Sequence, residues 1–227
     1  MHFSLITPTP GHERDAAHEW TAGAYLEHQW LWRFLPAPPG TPRTFVFRRR
    51  DVAGLPRFYV VSDREPVAPS GHWQVQSKPY APSLSAGDRL AFDLRANPVV
   101  TSRNAAGKSA RHDVVMQEKT RLLKAQQLTR WADWPDRPAL PDLVRRTCGQ
   151  WLQARCERLG IALDDGSLSV EGYEQHRGKN GELRFSTVDF SGQLQVVDAA
   201  ALRQALYGGV GHAKAFGCGL LLLRPIG

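Results

Sequence analysis

The sequence predicts an α+β fold built from two tandem ferredoxin-like (RRM-like) βαββαβ domains. Three observations carry that prediction. The first eighty residues read as strand, helix, strand, strand and a further strand. A proline-, serine- and glycine-rich stretch at 79–88 then interrupts the pattern, and strands and helices resume beyond it. The chain has 227 residues, enough for two small domains that each bury a modest core, or for one large one.

His2 to Thr7 alternates as a first strand. Gly11 to Leu35 has helical character, running from Glu13 to a stop at Pro36. Thr44 to Arg48 and Arg57 to Ser62 read as strands joined through Asp51-Val52-Ala53-Gly54, and Trp73 to Ser77 alternates again. Arg89 to Ala96 opens the second half, with Leu90, Phe92 and Leu94 on one face. Gln117 to Trp131 and Asp142 to Leu159 are predicted helices, joined by a proline-rich stretch at 134–141. Ser167 to Glu174 and Leu183 to Phe190 flank a turn at 177–181, the mark of a hairpin, and Gly192 to Val197 continues as strand. Asp198 is placed to cap a helix through Tyr207, and four leucines at 220–223 form the last strand. The expected domains are 1–84 and 85–227, with no sequence repeat visible between them.

The net charge is +7, and arginine outnumbers lysine. That balance favours a polyanionic partner such as nucleic acid, and the guanidinium suits bidentate phosphate contacts. Cys148, Cys156 and Cys218 are odd in number and form no Cys-x-x-Cys, which argues against a disulfide framework and fits a reducing cytoplasm. The first residues lack the pattern of a signal peptide. No apolar run approaches the ~20 residues of a membrane helix. The expectation is a soluble, cytoplasmic protein. The eight histidines form no His-x-x-x-His or His-Glu-x-x-His motif, so spacing assembles no metal ligand set, and none is expected. Ala106-Gly107-Lys108-Ser109 looks like the end of a P-loop, but Ser102 stands where its first glycine belongs, so no nucleotide cofactor is expected.

Four constellations carry chemistry. Tyr25 and His28 lie three apart and share a helical face. A histidine there suits proton transfer at a ribose 2′-hydroxyl, or it packs on Trp32 and bonds to a neighbour. Glu27 on the same helix reads as a solvated charge. Arg95 ends a strand before Asn97-Pro98, where it meets phosphate or pairs with a carboxylate on the sheet; Lys108 follows. The hairpin bearing His176, Arg177, Lys179 and Arg184 is either a basic probe for an RNA stem or a solvated turn. The loop with Gly209, Gly211, His212, Lys214, Gly217 and Gly219 has a glycine density that helices and strands do not tolerate. It is a tight turn before an edge strand, or a backbone cradle for an anion.

These residues carry a resemblance. Lys214-Ala215-Phe216-Gly217-Cys218-Gly219-Leu220-Leu221 resembles the glycine-rich signature of the CasE family, the CRISPR repeat-processing endoribonucleases of the type I-E Cascade complex. The family's first helix carries a similar run to Tyr25, His28, Gln29, Leu31, Trp32, Arg33 and Pro36, and Arg95-Ala96-Asn97-Pro98 is similar to its strand end. The resemblance implies His28 as the catalytic histidine and Tyr25 as its helper, with a basic residue such as Lys179 assisting. It implies RNA contacts in the hairpin and the glycine loop. It further implies a metal-independent cut at the 3′ base of the repeat stem-loop in precursor crRNA, with the mature crRNA and other Cascade subunits as partners. A non-catalytic RNA-binding subunit on the same fold is the alternative.

Overall fold

A computed structural model describes residues 1–20, 24–103, 107, 109–177 and 184–226, and of Ala24 and Tyr25 the backbone alone. The first sheet contains β1 (His2–Pro8), β2 (Phe45–Val52), β3 (Leu55–Ser62) and β4 (Trp73–Pro79). Its order is β2-β3-β1-β4 and every pairing is antiparallel, the arrangement of a ferredoxin-like sheet. Residues 63–72 form a loop where the pattern places a second helix, because the stretch is short and holds Pro66 and Pro69.

The predicted single helix is two: α1 (Glu13–Glu19) and α2 (Ala24–Trp32). Trp20 leaves the helix in an extended conformation, φ −94° and ψ 118°. Its indole packs edge-on against Phe58 and under the Arg49 guanidinium, 4.2 Å from the ring centre. Tertiary packing on the sheet thus overrides the helical pattern. Leu31, Phe34, Phe47, Phe58 and Val60 are fully buried in this half, and Trp30 and Trp73 nearly so. Each such side chain contributes roughly 1.5–3 kcal/mol relative to exposure.

The second sheet holds β5 (Arg89–Ala96), β8 (Ile161–Leu163), β9 (Ser169–Arg177), β10 (Arg184–Val196) and β11 (Leu221–Pro225). Its order is β11-β5-β10-β8, with β9 also on β10. β8 and β9 follow one another along the same edge of β10 and fill one strand position between them. β10 runs unbroken through Gly192, in line with the reading of Gly192 to Val197 as continuing strand. A further hairpin of β6 (Val99–Arg103) and β7 (Ser109–Asp113) has no counterpart in the sequence pattern.

Among the described residues, four α-helices accompany this sheet. α3 (Val114–Ala125) starts earlier than expected, because Asp113 accepts the Met116 N–H at 2.8 Å. α4 (Leu140–Gln153) carries Pro141 in its first turn, and α5 (Cys156–Leu159) follows after a break. Asp198 caps α6 (Ala199–Gly208) through the N–H groups of Ala200 and Ala201, as its position implied.

A third apolar cluster of Val46, Val61 and Leu220 joins the halves. Beside it, Arg48, only 5% exposed, crosses from β2 to Asp93 on β5 and to Asp189 on β10, the latter at 3.1 Å. Arg50 also meets Asp93. Burial pulls the Arg48 guanidinium down to about 10. Two carboxylates offset part of that desolvation, and removing either leaves a buried charge undercompensated. Among the described residues no helix is long and apolar enough to cross a membrane.

Candidate nucleic-acid interface and active site

The glycine loop lies in the seam between the halves. Gly209, with φ +73°, ends α6; a Cβ there would stand 2.8 Å from Val46 Cγ1. Gly219, with φ +93°, is equally confined, and by backbone: its Cβ would meet the Val210 carbonyl oxygen at 2.8 Å. Val210 N–H donates to Gly219 O at 2.8 Å, and Gly219 N–H donates to Arg95 O at 2.7 Å. Gly211 lies against Trp151 and Gly217 against Phe47. The close approaches that require glycine are therefore to the protein itself. At Gly209, Gly211, Gly217 and Gly219 the nearest neighbours are core side chains and the protein's own backbone.

The loop nevertheless delivers charge to one place. Its 3-10 turn, Lys214–Phe216, packs against α2 and β2, so the two ends of the chain meet. Lys214 Nζ donates to Gly208 O at 2.6 Å, which closes the loop on itself. Burial lowers the Lys214 pKa, and the charges of Arg43 and Arg158 lower it further. His212 is lowered by burial and then by Arg111, Lys214, Arg155 and Arg158. This basin of like charge pays an electrostatic cost without an anion present, and a phosphate would relieve it. Arg43, Arg111, Arg155 and Arg158 belong to no motif. Only the chain's basic excess hinted at them.

His28 stands at the rim on α2. Its ring stacks on Phe45, with centroids 5.8 Å apart, and Trp32 meets it edge-on. Trp32 Nε1–H donates to His28 Nε2 at 3.3 Å, while Nδ1 is buried without a partner. The Trp32 bond fixes the tautomer, with the proton on Nδ1 and the lone pair on Nε2. Burial and the Arg43 charge lower the His28 pKa, which keeps the ring neutral at physiological pH. Glu27 is not solvated, contrary to expectation. It is 7% exposed and accepts from Arg49 Nη1 at 2.7 Å, because its side of α2 faces β2. Burial raises its pKa. The Tyr25 side chain, Lys108 and Lys179 lie outside the described residues.

The hairpin of β9 and β10 pairs Arg177 with Arg184, both exposed. His176 stacks on Phe185 at 4.6 Å, and Phe185 stacks on Phe216 at 4.7 Å. That ladder ties the hairpin to the 3-10 turn of the loop. The His176 Nε2 and the Thr187 hydroxyl lie at 2.9 Å. Arg95 realises its carboxylate reading: Nε and Nη2 donate to Asp189 at 2.9 and 2.7 Å. A groove of about 590 Å³ runs between these parts, lined in part by Arg49, Arg50, Arg95, His176, Phe185 and Phe216.

Two ferredoxin-like halves with a histidine and a basic basin at their seam make this a tandem ferredoxin-like protein with a nucleic-acid-compatible cleft. A family profile described as "CRISPR associated protein" matches residues 1–225. The Cascade subunit CasE of Escherichia coli K12 is 28% identical over 214 residues, 92% of this chain and 96% of that protein. The CRISPR-associated endoribonuclease Cse3 of Thermus thermophilus is 31% identical over 175 residues, 70% of this chain and 67% of that one. A structure of Thermus thermophilus Cse3 bound to an RNA representing a pre-cleavage complex superposes with a TM-score of 0.66 at 25% identity, covering 99% of each chain. The chain belongs to the CRISPR-associated CasE family.

Proposed function

We propose that this chain is a metal-independent endoribonuclease that binds the CRISPR repeat stem-loop in precursor crRNA and cuts once at the 3′ base of the stem. The mature crRNA then stays with the protein in a Cascade assembly. The observation that carries this reading is the packing of the His28 helix on the Lys214–Phe216 turn, with Arg43 acting on both His28 and Lys214. The relatives named CasE and Cse3 support the same reading.

RNA entering the seam displaces the long Trp32–His28 bond and presents a ribose 2′-hydroxyl to Nε2. Catalytic hydrogen bonds of this kind tighten in the substrate complex. Neutral His28 takes the 2′-proton. The 2′-oxygen bonds to the adjacent phosphorus, the P–O5′ bond breaks, and the departing 5′-oxygen takes a proton from solvent water, to which His28 later returns the proton it removed. The products are a 2′,3′-cyclic phosphate and a 5′-hydroxyl. Lys214 and Arg43 stabilise the charge that builds on the phosphate. Tyr25 and Lys179 keep their assigned roles as helper and charge stabiliser. Arg177, Arg184, His212 and Lys108 hold RNA phosphates, and Arg95 holds the scaffold through Asp189. We place the division of the halves at 84/85, inside the segment between β4 and β5, and the protein in the cytoplasm, which its three buried free thiols favour.

A non-catalytic RNA-binding subunit is the second reading, favoured by the engagement of His28 with Trp32. His28→Ala separates the two. The endoribonuclease reading expects cleavage to slow by roughly 10²–10⁴-fold with RNA affinity nearly unchanged. Equal losses of binding and cleavage would remove His28 from the chemistry.

A further inference from the structure

Away from the seam, on the first half, the fold gathers groups that sequence spacing keeps apart. His12 and Asp15 lie at the start of α1, and His72 lies sixty residues on from His12, just before β4. One ring nitrogen of each histidine and one Asp15 carboxylate oxygen all lie within 4.8 Å of one another. His12 Nδ1 is 3.4 Å from Asp15 Oδ2, and His72 Nε2 is 4.0 Å from the same oxygen. A tetrahedral cation with metal–ligand bonds of about 2.0–2.1 Å has edges of about 3.4 Å. The first edge has that length. The second reaches it with a small shift of exposed side chains.

The surroundings of His72 supply an independent observation. Its other nitrogen, Nδ1, meets Glu19 Oε1 at 2.7 Å. Glu19 is fixed in turn by the Ser70 hydroxyl at 3.1 Å and by Arg33 at 3.8 Å. With Nδ1 engaged by the Glu19 carboxylate, the Nε2 of His72 is the nitrogen left facing Asp15. A carboxylate behind a histidine is the usual outer support of a metal-ligating imidazole. The backbone holds the two sides together, with Thr9 N–H donating to His72 O at 2.9 Å.

We propose that His12, Asp15 and His72 form a binding site for a divalent transition-metal ion of the zinc, cobalt or nickel class, with Glu19 as the positioning residue for His72. Two imidazoles and one carboxylate suit this borderline class over calcium or magnesium. The fourth position faces solvent, since His12 and Asp15 are exposed. The cation pins α1 to the entry of β4 and stabilises the first half by mass action. The proposal is independent of the cleavage chemistry.

The test is titration of tag-free full-length protein with cobalt(II), followed by its visible absorption, then competition with zinc. The account expects one saturable site whose spectrum reports tetrahedral nitrogen and oxygen donors, and a zinc-dependent rise in Tm. His12→Gln, at an exposed position, abolishes both, as does His72→Gln. Glu19→Gln weakens binding by about 10–100-fold. His112→Gln, in the second half, leaves binding intact. Absence of saturable binding overturns the proposal, and so does binding that survives His12→Gln or is lost in His112→Gln.

Discussion

The glycine loop and the β9–β10 hairpin both read from sequence as RNA-contacting elements, and the fold treats them in opposite ways. The loop is locked into the seam. Its glycines touch Val46, Phe47, Trp151 and the Val210 carbonyl, and its N–H groups at Val210 and Gly219 serve other backbone carbonyls. The hairpin leaves Arg177 and Arg184 exposed, side by side across the ladder. Glycine density announces a close approach but not what approaches, and here the loop's nearest partner is the protein's own core. The loop builds the site by position, by bringing Lys214 against α2. The hairpin offers contact directly.

This contrast predicts a graded set of outcomes. Gly219→Ala forces a side chain onto the Val210 carbonyl at a positive φ and should cost about 3 kcal/mol of stability. Chemical denaturation measures it, and a loss below about 1 kcal/mol would show that the loop is not locked. Asp189→Asn removes the carboxylate shared by Arg48 and Arg95 and should cost about 2 kcal/mol, since Arg48 keeps Asp93. Arg177→Ala and Arg184→Ala should leave stability unchanged. Each should flatten the dependence of log affinity on log salt by about 0.7–0.9, the share of one phosphate. An unchanged slope would make the hairpin a solvated turn.

The smallest effect concerns pH. Burial and Arg43 lower the His28 pKa from 6.5, so the free protein keeps a neutral base below the range of an ordinary histidine. A base must be unprotonated to act, so kcat/KM falls only as pH drops through the lowered value. The acid limb should therefore lie below pH 6.5 and move upward in Arg43→Ala. The linked stability has the same sign: a depressed histidine pKa stabilises the fold above the unfolded value and ceases to do so as pH falls through the folded one.

The strands at His2–Thr7, at Arg89–Ala96 and in the leucine run were legible because alternation and apolar runs are local signals. The Asp198 cap was legible because its chemistry is local. The break at Trp20 was not, since it depends on Phe58 and Arg49 from the sheet. The burial of Glu27 depends on Arg49 in the same way. His28 and Lys214 stood out through their motifs, while Arg43 and Arg158 join them only through folding. The His12–Asp15–His72 group was hidden for the same reason: no spacing rule spans sixty residues.

The central claim is 2′-hydroxyl chemistry at the seam, and one experiment tests it most directly. Purified protein is incubated in EDTA with its host repeat RNA, and in parallel with the same RNA carrying a single 2′-deoxy nucleotide before the cut. The account predicts cleavage of the first, protection of the second and equal binding of both. Tight binding with neither RNA cleaved would make the chain a binding subunit, and cleavage of the 2′-deoxy RNA or a requirement for added Mg²⁺ would contradict the mechanism.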